Sequence, residues 1–220
     1  SHFRADHLVE GHHPNPDALG EEELAALLRE AGVKCPTCGG ELGEPHTFNL
    51  MFETRIGPGA KKMSYLRPET AQGIFINFRE MYRQNRESMP FAAAQLGRGY
   101  RNEISPRQGM VRMREFRMAE LEYFCHPDDP DHPAYDGYAG VQVPLAPAGA
   151  GGEARVRRIG DAVDDGTIGN RALAYFIAHT FSFITAAGVD PARVRFRQHE
   201  PDEMAHYAND CWDAEALLSL

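Results

Sequence analysis

An α+β fold, helices set against a sheet, is the class this sequence predicts. Two observations carry that expectation. Apolar residues recur at helical spacing in three stretches: near 21–31, after Pro68, and at 170–187. Elsewhere the pattern is that of strands, in Phe48–Ile56 and again from Phe91 to Phe124.

Taken in order, residues 1–20 are rich in His, Pro and charge and read as an irregular lead-in. A short helix follows from Glu21 to Ala31, with Leu24, Leu27, Leu28 and Ala31 at helical spacing and Gly32 as its stop. Cys35-Pro36-Thr37-Cys38-Gly39-Gly40 is a tight knuckle. Pro68 opens a helical stretch with Ile74, Phe75, Phe78, Met81 and Tyr82 on one side. The strands between Phe91 and Phe124 are joined by a polar connection around Ser105–Gly109, and residues 137–152 read as a small-residue, mobile loop. The clearest helix runs from Asn170 to Ala187: Asn170 caps it, Leu173, Phe176, Ile177, Phe181 and Ile184 form its buried stripe, and Gly188 ends it.

Composition narrows the classes of function. The 220 residues, 42% apolar with 20 Phe and Tyr, suffice for a buried core and are not those of a disordered chain. No apolar run is long enough to span a membrane, and no secretory leader is apparent. A net charge of −9 argues against a general nucleic-acid coat. Four cysteines are too few for a disulfide scaffold, so the expectation is a reducing, cytoplasmic setting.

Residues 97–124 carry the chemistry. Six arginines lie between Gly97 and Arg117 (Arg98, Arg101, Arg107, Arg112, Arg114 and Arg117), opposed in that span by Glu103 and Glu115. The plain reading is a solvated, salt-bridged strand face. Strand parity favours another. Side chains two apart share a face, so Arg112, Arg114, Phe116, Met118, Glu120 and Glu122 point one way, and Arg101 shares a face with Glu103. A guanidinium, an aromatic ring and two carboxylates in that order suit a polyphosphate, a flat base and an amine, as in a nucleoside triphosphate beside an amino acid. No Gly-x-x-x-x-Gly-Lys-Ser/Thr occurs, so this is not a P-loop.

Gly99-Tyr100-Arg101-Asn102-Glu103-Ile104-Ser105-Pro106-Arg107, continuing through Arg112-Met113-Arg114-Glu115-Phe116, resembles motif 2 of class II aminoacyl-tRNA synthetases, in the version of glycyl-tRNA synthetases of archaeal and eukaryotic type. Three other stretches agree: Phe48–Phe52, Leu66–Phe75, and Glu203–Ala208 leading into Asp210–Glu215. The resemblance runs from Phe3 to Glu215.

That resemblance implies a class II synthetase-like antiparallel sheet flanked by helices, here incomplete. Motif 1 would precede residue 1, and motif 3 and an anticodon-binding domain would follow Glu215. It implies a division into residues 1–47 (lead-in and Cys-x-x-Cys knuckle of an insertion), 48–136 (catalytic core with motif 2), 137–195 (loop and helical insertion) and 196–220 (partial return to the core). Arg101 would hold the α-phosphate of ATP and the carboxylate of glycine, and would stabilise charge during attack. Glu103 would contact the adenine amino group, Arg112 the γ-phosphate, and Phe116 the adenine face. Glu69 and Glu120 would bind the glycine ammonium; their plain reading is a helix-start carboxylate and a solvent-facing strand residue. Arg107 would touch the acceptor end of tRNA. Glycine offers no side chain to grip, and a pocket gains only about 1–3 kcal/mol per methylene, so selection rests on the ammonium group and on tight exclusion.

The implied reaction is activation of glycine by ATP with Mg²⁺, then transfer to tRNA(Gly), in a family that forms homodimers and uses no membrane. Two other readings stay open: a truncated paralogue serving a non-tRNA acceptor, and a non-catalytic relative that binds nucleotide, tRNA or a partner. Cys35 and Cys38 form half of a zinc pair, and His12, His13 or His46 would have to help complete it; the alternative is a metal-free turn. Cys125 and Cys211 read as buried thiols, and Asp213 and Glu215 either position substrate or pair near a helix end.

Overall fold

The computed structural model describes residues 2–13, 16, 19–106 and 109–217 of the chain. Arg107, the residue expected to touch tRNA, lies outside the described residues. Contacts group the chain into two units, Ser1–Arg86 with Ala92–Glu122 and Glu87–Phe91 with Tyr123–Leu220.

The first unit opens with α1 (Ala5–Leu8) and α2 (Glu21–Glu30). Three glutamates in the first turn of α2 oppose the positive end of the helix dipole. The Glu23 carboxylate accepts from the Gly20 N–H at 2.9 Å, and Ala25 and Leu28 are buried. Gly32, at φ +61°, ends the helix as its sequence position predicts.

Strands β1 (Glu53–Ile56) and β2 (Lys62–Tyr65) pair antiparallel, Glu53 opposite Tyr65. Residues 48–52, expected as the start of a strand, lie outside β1. Their backbone is tied elsewhere: the Leu50 carbonyl accepts from Asn102 N–H at 2.7 Å and the Phe52 carbonyl from Leu66 N–H at 2.9 Å.

The helical stretch after Pro68 is two helices, α3 (Ala71–Ile76) and α4 (Phe78–Gln84), parted at Asn77. Ile74 is buried, whereas Phe75 and Ile76 are exposed, so the expected single stripe is not one face.

Strands β3 (Phe91–Tyr100) and β4 (Glu115–Phe124) form a two-stranded sheet. Burial alternates along both, which is the signature of one covered face. The other face is open: Leu96 is 82% exposed and Leu121 51%, with the Arg98–Glu115 ion pair between the strands.

The second unit holds a four-stranded sheet in the order β6 (Arg155–Arg158), β5 (Gln142–Ala146), β7 (Val194–Gln198), β8 (Trp212–Ala216). The β5–β6 and β7–β8 pairs are antiparallel and β5–β7 is parallel. Its inner face, with Val143, Leu145, Val194 and Phe196, packs with Ile159 and Ala162 of α5 (Ile159–Asp164) and Ala174, Ile177 and Ala178 of α6 (Arg171–Ala186). The small-residue stretch 137–152 is therefore not simply a mobile loop. It contains β5, whose Val143, Leu145 and Ala146 are 0% exposed, and small residues there permit close packing. Helix α6 follows expectation closely: the Asn170 side chain accepts from Leu173 N–H at 2.8 Å, and Gly188 at φ +102° lies just past its end. The observed class is α+β.

Candidate active site

The segment around Arg67 is tied to the end of β3 by two hydrogen bonds. Tyr100 N–H donates to the Arg67 carbonyl at 2.9 Å, and the Arg67 guanidinium donates to the Arg98 carbonyl at 2.9 Å. Glycines make this approach possible. A Cβ on Gly97 would stand 2.8 Å from Thr70 Cγ2 and from an Arg67 guanidinium nitrogen, and one on Gly99 would stand 2.9 Å from the Phe116 ring.

The covered face of β4 presents Phe116, Met118, Glu120 and Glu122 in alternation, as parity predicts. Near one end, the Arg101 guanidinium stands over the Phe116 ring, 5.4 Å from its centroid. Four residues on, about 13 Å along the strand, is Glu120. One oxygen of Glu120 accepts both the backbone N–H of Thr70, at 2.5 Å, and the Thr70 hydroxyl. Thr70 is 1% exposed, so this bond fixes the head of α3 against β4. Glu69 is the next residue back, and one of its oxygens accepts from the Gln72 side-chain amide.

Glu122 completes a group of three carboxylates. Burial pushes its carboxyl above the usual range, and the charges of Glu120 and Glu69 push it further. Among the described residues none of the three makes an ion pair, while other acids of this unit are paired, Glu115 with Arg98 and Asp6 with Arg4. Glu122 and Thr70 were not among the expected site residues. Glu122 had the same signal as Glu120, its place on one face; Thr70 had only its place beside Glu69.

Parity does not extend as far as expected. Strand β4 begins at Glu115, after a 3-10 turn at Gly109–Val111 with Gly109 at φ +56°, so strand geometry does not align Arg112 and Arg114 with Phe116. Strand β3 ends at Tyr100, and Glu103 N–H donates to the Arg101 carbonyl at 2.8 Å, so Arg101 and Glu103 are related by a turn, not by a shared strand face. The arginines divide accordingly. Arg98 pairs with Glu115, Arg114 donates to the Glu103 carbonyl at 2.9 and 3.1 Å, and Arg117 is on the open face. Arg101 stands at the aromatic ring, and Arg112 is half-buried just past the 3-10 turn.

Cys35 and Cys38 form the expected knuckle, closed by Cys35 N–H to the Gly40 carbonyl at 2.9 Å and Gly39 N–H to the Cys35 carbonyl at 2.8 Å. Hydrogen bonds from the Thr37 and Cys38 backbone hold the Cys35 thiol below its ordinary pKa. Zinc is ordinarily held by four ligands, and among the described residues no group of three His, Cys, Asp or Glu gathers that could hold a metal.

In the second unit Asp213 and Glu215 lie on β8, not at a helix end. Glu215 pairs with Arg195 at 2.6 Å and Arg197 at 3.3 Å, and Asp213 accepts from or pairs with His199 at 2.8 Å. They are occupied in a cross-strand charge ladder. Cys125 and Cys211, expected as buried thiols, are only half-buried; partial burial and the nearby Asp213 and Asp210 raise the Cys211 thiol. A trough of about 940 Å³ beside Pro144, Val156, Phe181 and Leu217 has Arg195 and Glu215 in its wall, already paired. Among the described residues no helix is long and apolar enough to cross a membrane.

Residues 56–141 match the family model described as the tRNA synthetase class II core domain (G, H, P, S and T). The chain is 51% identical over 218 residues to a glycine–tRNA ligase of Methanothrix thermoacetophila, covering 98% of this chain and 38% of that protein. It is 51% identical over 223 residues to that of Methanocaldococcus jannaschii, with 97% and 38% covered. It is 44% identical over 241 residues to that of Bombyx mori, with 99% and 33% covered. The chain thus spans well under half the length of these relatives.

Proposed function

Because the chain belongs to the class II tRNA synthetase family, we propose that it is the glycine- and ATP-binding part of a glycine–tRNA ligase catalytic domain. The observation that carries this reading is the order of groups on one face of β4: Arg101 over the Phe116 ring near one end, and Glu120 with Glu69 and Thr70 further along.

In this reading adenine stacks on Phe116 and displaces the guanidinium from the ring. Arg101 then turns its fork to the α-phosphate and the glycine carboxylate. Glu103 accepts from the adenine amino group and Arg112 holds the γ-phosphate. Glu69 and Glu120 each keep one oxygen in an internal hydrogen bond, which leaves the other oxygen for the glycine ammonium. ATP enters as its Mg²⁺ complex, so magnesium comes with the substrate. A glycine carboxylate oxygen attacks the α-phosphorus, the bond to the bridging oxygen breaks, and pyrophosphate leaves with that electron pair. The products are glycyl-adenylate and pyrophosphate. Once turned to the phosphate, Arg101 stabilises the charge on the phosphoryl oxygens. The glycyl group then passes to the terminal ribose of tRNA, near which Arg107 would lie. Assembly as a homodimer and a cytoplasmic setting belong to the same reading.

Glycine-dependent exchange of labelled pyrophosphate into ATP tests it, together with calorimetric binding of ATP and of glycine. Expected is saturable binding of both, with exchange reduced at least about 100-fold in Arg101→Ala. A folded sample that binds neither ligand overturns the reading.

A further inference from the structure

Glu120 and Glu69 are partly committed to other bonds. Thr70 takes one Glu120 oxygen with two donors, and Gln72 takes one of Glu69. Glu122 follows Glu120 by two residues on the same covered face of β4, and no hydrogen bond is seen on its carboxyl among the described residues. The Arg67 guanidinium lies against Gly97 beside Thr70 on this face, but it donates to the Arg98 carbonyl and among the described residues makes no ion pair with the three carboxylates. From β3 the covered positions are Ala93, Gln95, Gly97 and Gly99, none of them ionisable, and from the head of α3 the charged group is Glu69. A third carboxylate placed there repels the other two unless a cation or a proton joins them.

We propose that Glu122 is a positioning residue of the glycine pocket: it makes no contact with the amino acid, and its charge strengthens the hold of Glu69 and Glu120 on the ammonium group. This rests on the glycine-binding reading above. In the empty pocket the Glu122 carboxyl holds its proton to higher pH than an ordinary glutamate, because burial and then the charges of Glu120 and Glu69 favour its neutral form. When an ammonium group enters, its positive charge favours the ionised form, and the proton leaves to solvent. By linkage, the factor by which glycine weakens proton binding at Glu122 is the factor by which ionised Glu122 strengthens glycine binding. A fall of one pKa unit corresponds to a tenfold gain. Glycine affinity therefore rises with pH through the Glu122 titration and levels off above it.

The test follows the side-chain carboxyl carbons of Glu69, Glu120 and Glu122 by NMR against pH in the full chain, with and without saturating glycine. Calorimetry in two buffers of different ionisation enthalpy counts the protons released. Expected is a Glu122 titration above the ordinary glutamate range that glycine lowers, with proton release on binding. Glu122→Gln keeps glycine binding about tenfold weaker at high pH and without pH dependence; Glu122→Asp restores the dependence. If glycine moves the Glu69 and Glu120 signals but leaves the Glu122 titration unchanged, the proposal is wrong and the pocket stands. If glycine moves none of the three, the glycine-binding reading falls, and this proposal with it.

Discussion

Thr70 is the smallest part of the candidate site with the widest reach. It is almost fully buried and spends both its donors on one oxygen of Glu120, fifty residues away in sequence. Hydrogen bonds to a charged acceptor contribute about 1.5–3 kcal/mol each when buried. Thr70→Val keeps the shape and the backbone donor but removes the hydroxyl. Urea unfolding should show a loss of about 1–2 kcal/mol, and glycine binding should weaken because Glu120 is no longer held. An unchanged unfolding midpoint would mean that the hydroxyl is not the anchor it looks like. The sequence contained Thr70 only as a neighbour of Glu69. Nothing in its local pattern tells of a partner on another strand, because such a bond exists only once the two segments have met.

Helix α6 and strand β4 were legible in the sequence for a physical reason: each buries one face, and burial writes its period into the residues. Asn170 and the alternation from Phe116 to Glu122 are the direct traces. The strand faces expected for Arg112 and Glu103 are not found because parity was carried past the strand ends, where Gly109 and the turn at Arg101–Glu103 redirect the chain. β5 was overlooked because its short run of small and apolar residues sits among glycines and has no period of its own. The aromatic group packed on α6 gives a test at this scale. His132 stacks on Tyr175, centroids 3.5 Å apart, and its Nδ1 accepts from Ala134 N–H at 3.1 Å. That bond requires a neutral ring nitrogen. Burial lowers the His132 pKa first, Asp131 opposes, and His179 lowers it further. The unfolded chain therefore takes up the proton more readily. The stability due to this group is fully present above the ordinary histidine value, about 6.5, and is lost as pH falls through the lower folded value. Urea unfolding at stepped pH should show a slope of at most about 1.4 kcal/mol per pH unit from this group. His132→Asn should flatten it; an identical slope in the variant would assign the effect elsewhere.

Across the molecule, packing is uneven. The second unit owns a contiguous core in which Val143, Leu145, Ile159, Ala162, Ala174 and Ala178 are 0% exposed. The buried hydrophobic residues described in the first unit are few: Ala25 and Leu28 on α2, Val9 just past α1, and Ile74 on α3. Local opening follows buried apolar contact. Amide hydrogen exchange should therefore find the slowest amides in β5, β7 and α6, protected by several kcal/mol more than those of β1 and β2. Comparable protection in both units would contradict this. The open face of β3 and β4 has a further effect on how a solution of this chain behaves. Leu96 and Leu121 attract their like at short range, and the surface charges around them, Arg117 among these, repel at long range. At about 0.15 M salt that repulsion reaches only about 8 Å, while the apolar attraction is unaffected. Added salt, the usual remedy for a charged protein that sticks, thus turns the osmotic second virial coefficient toward negative values and brings copies together.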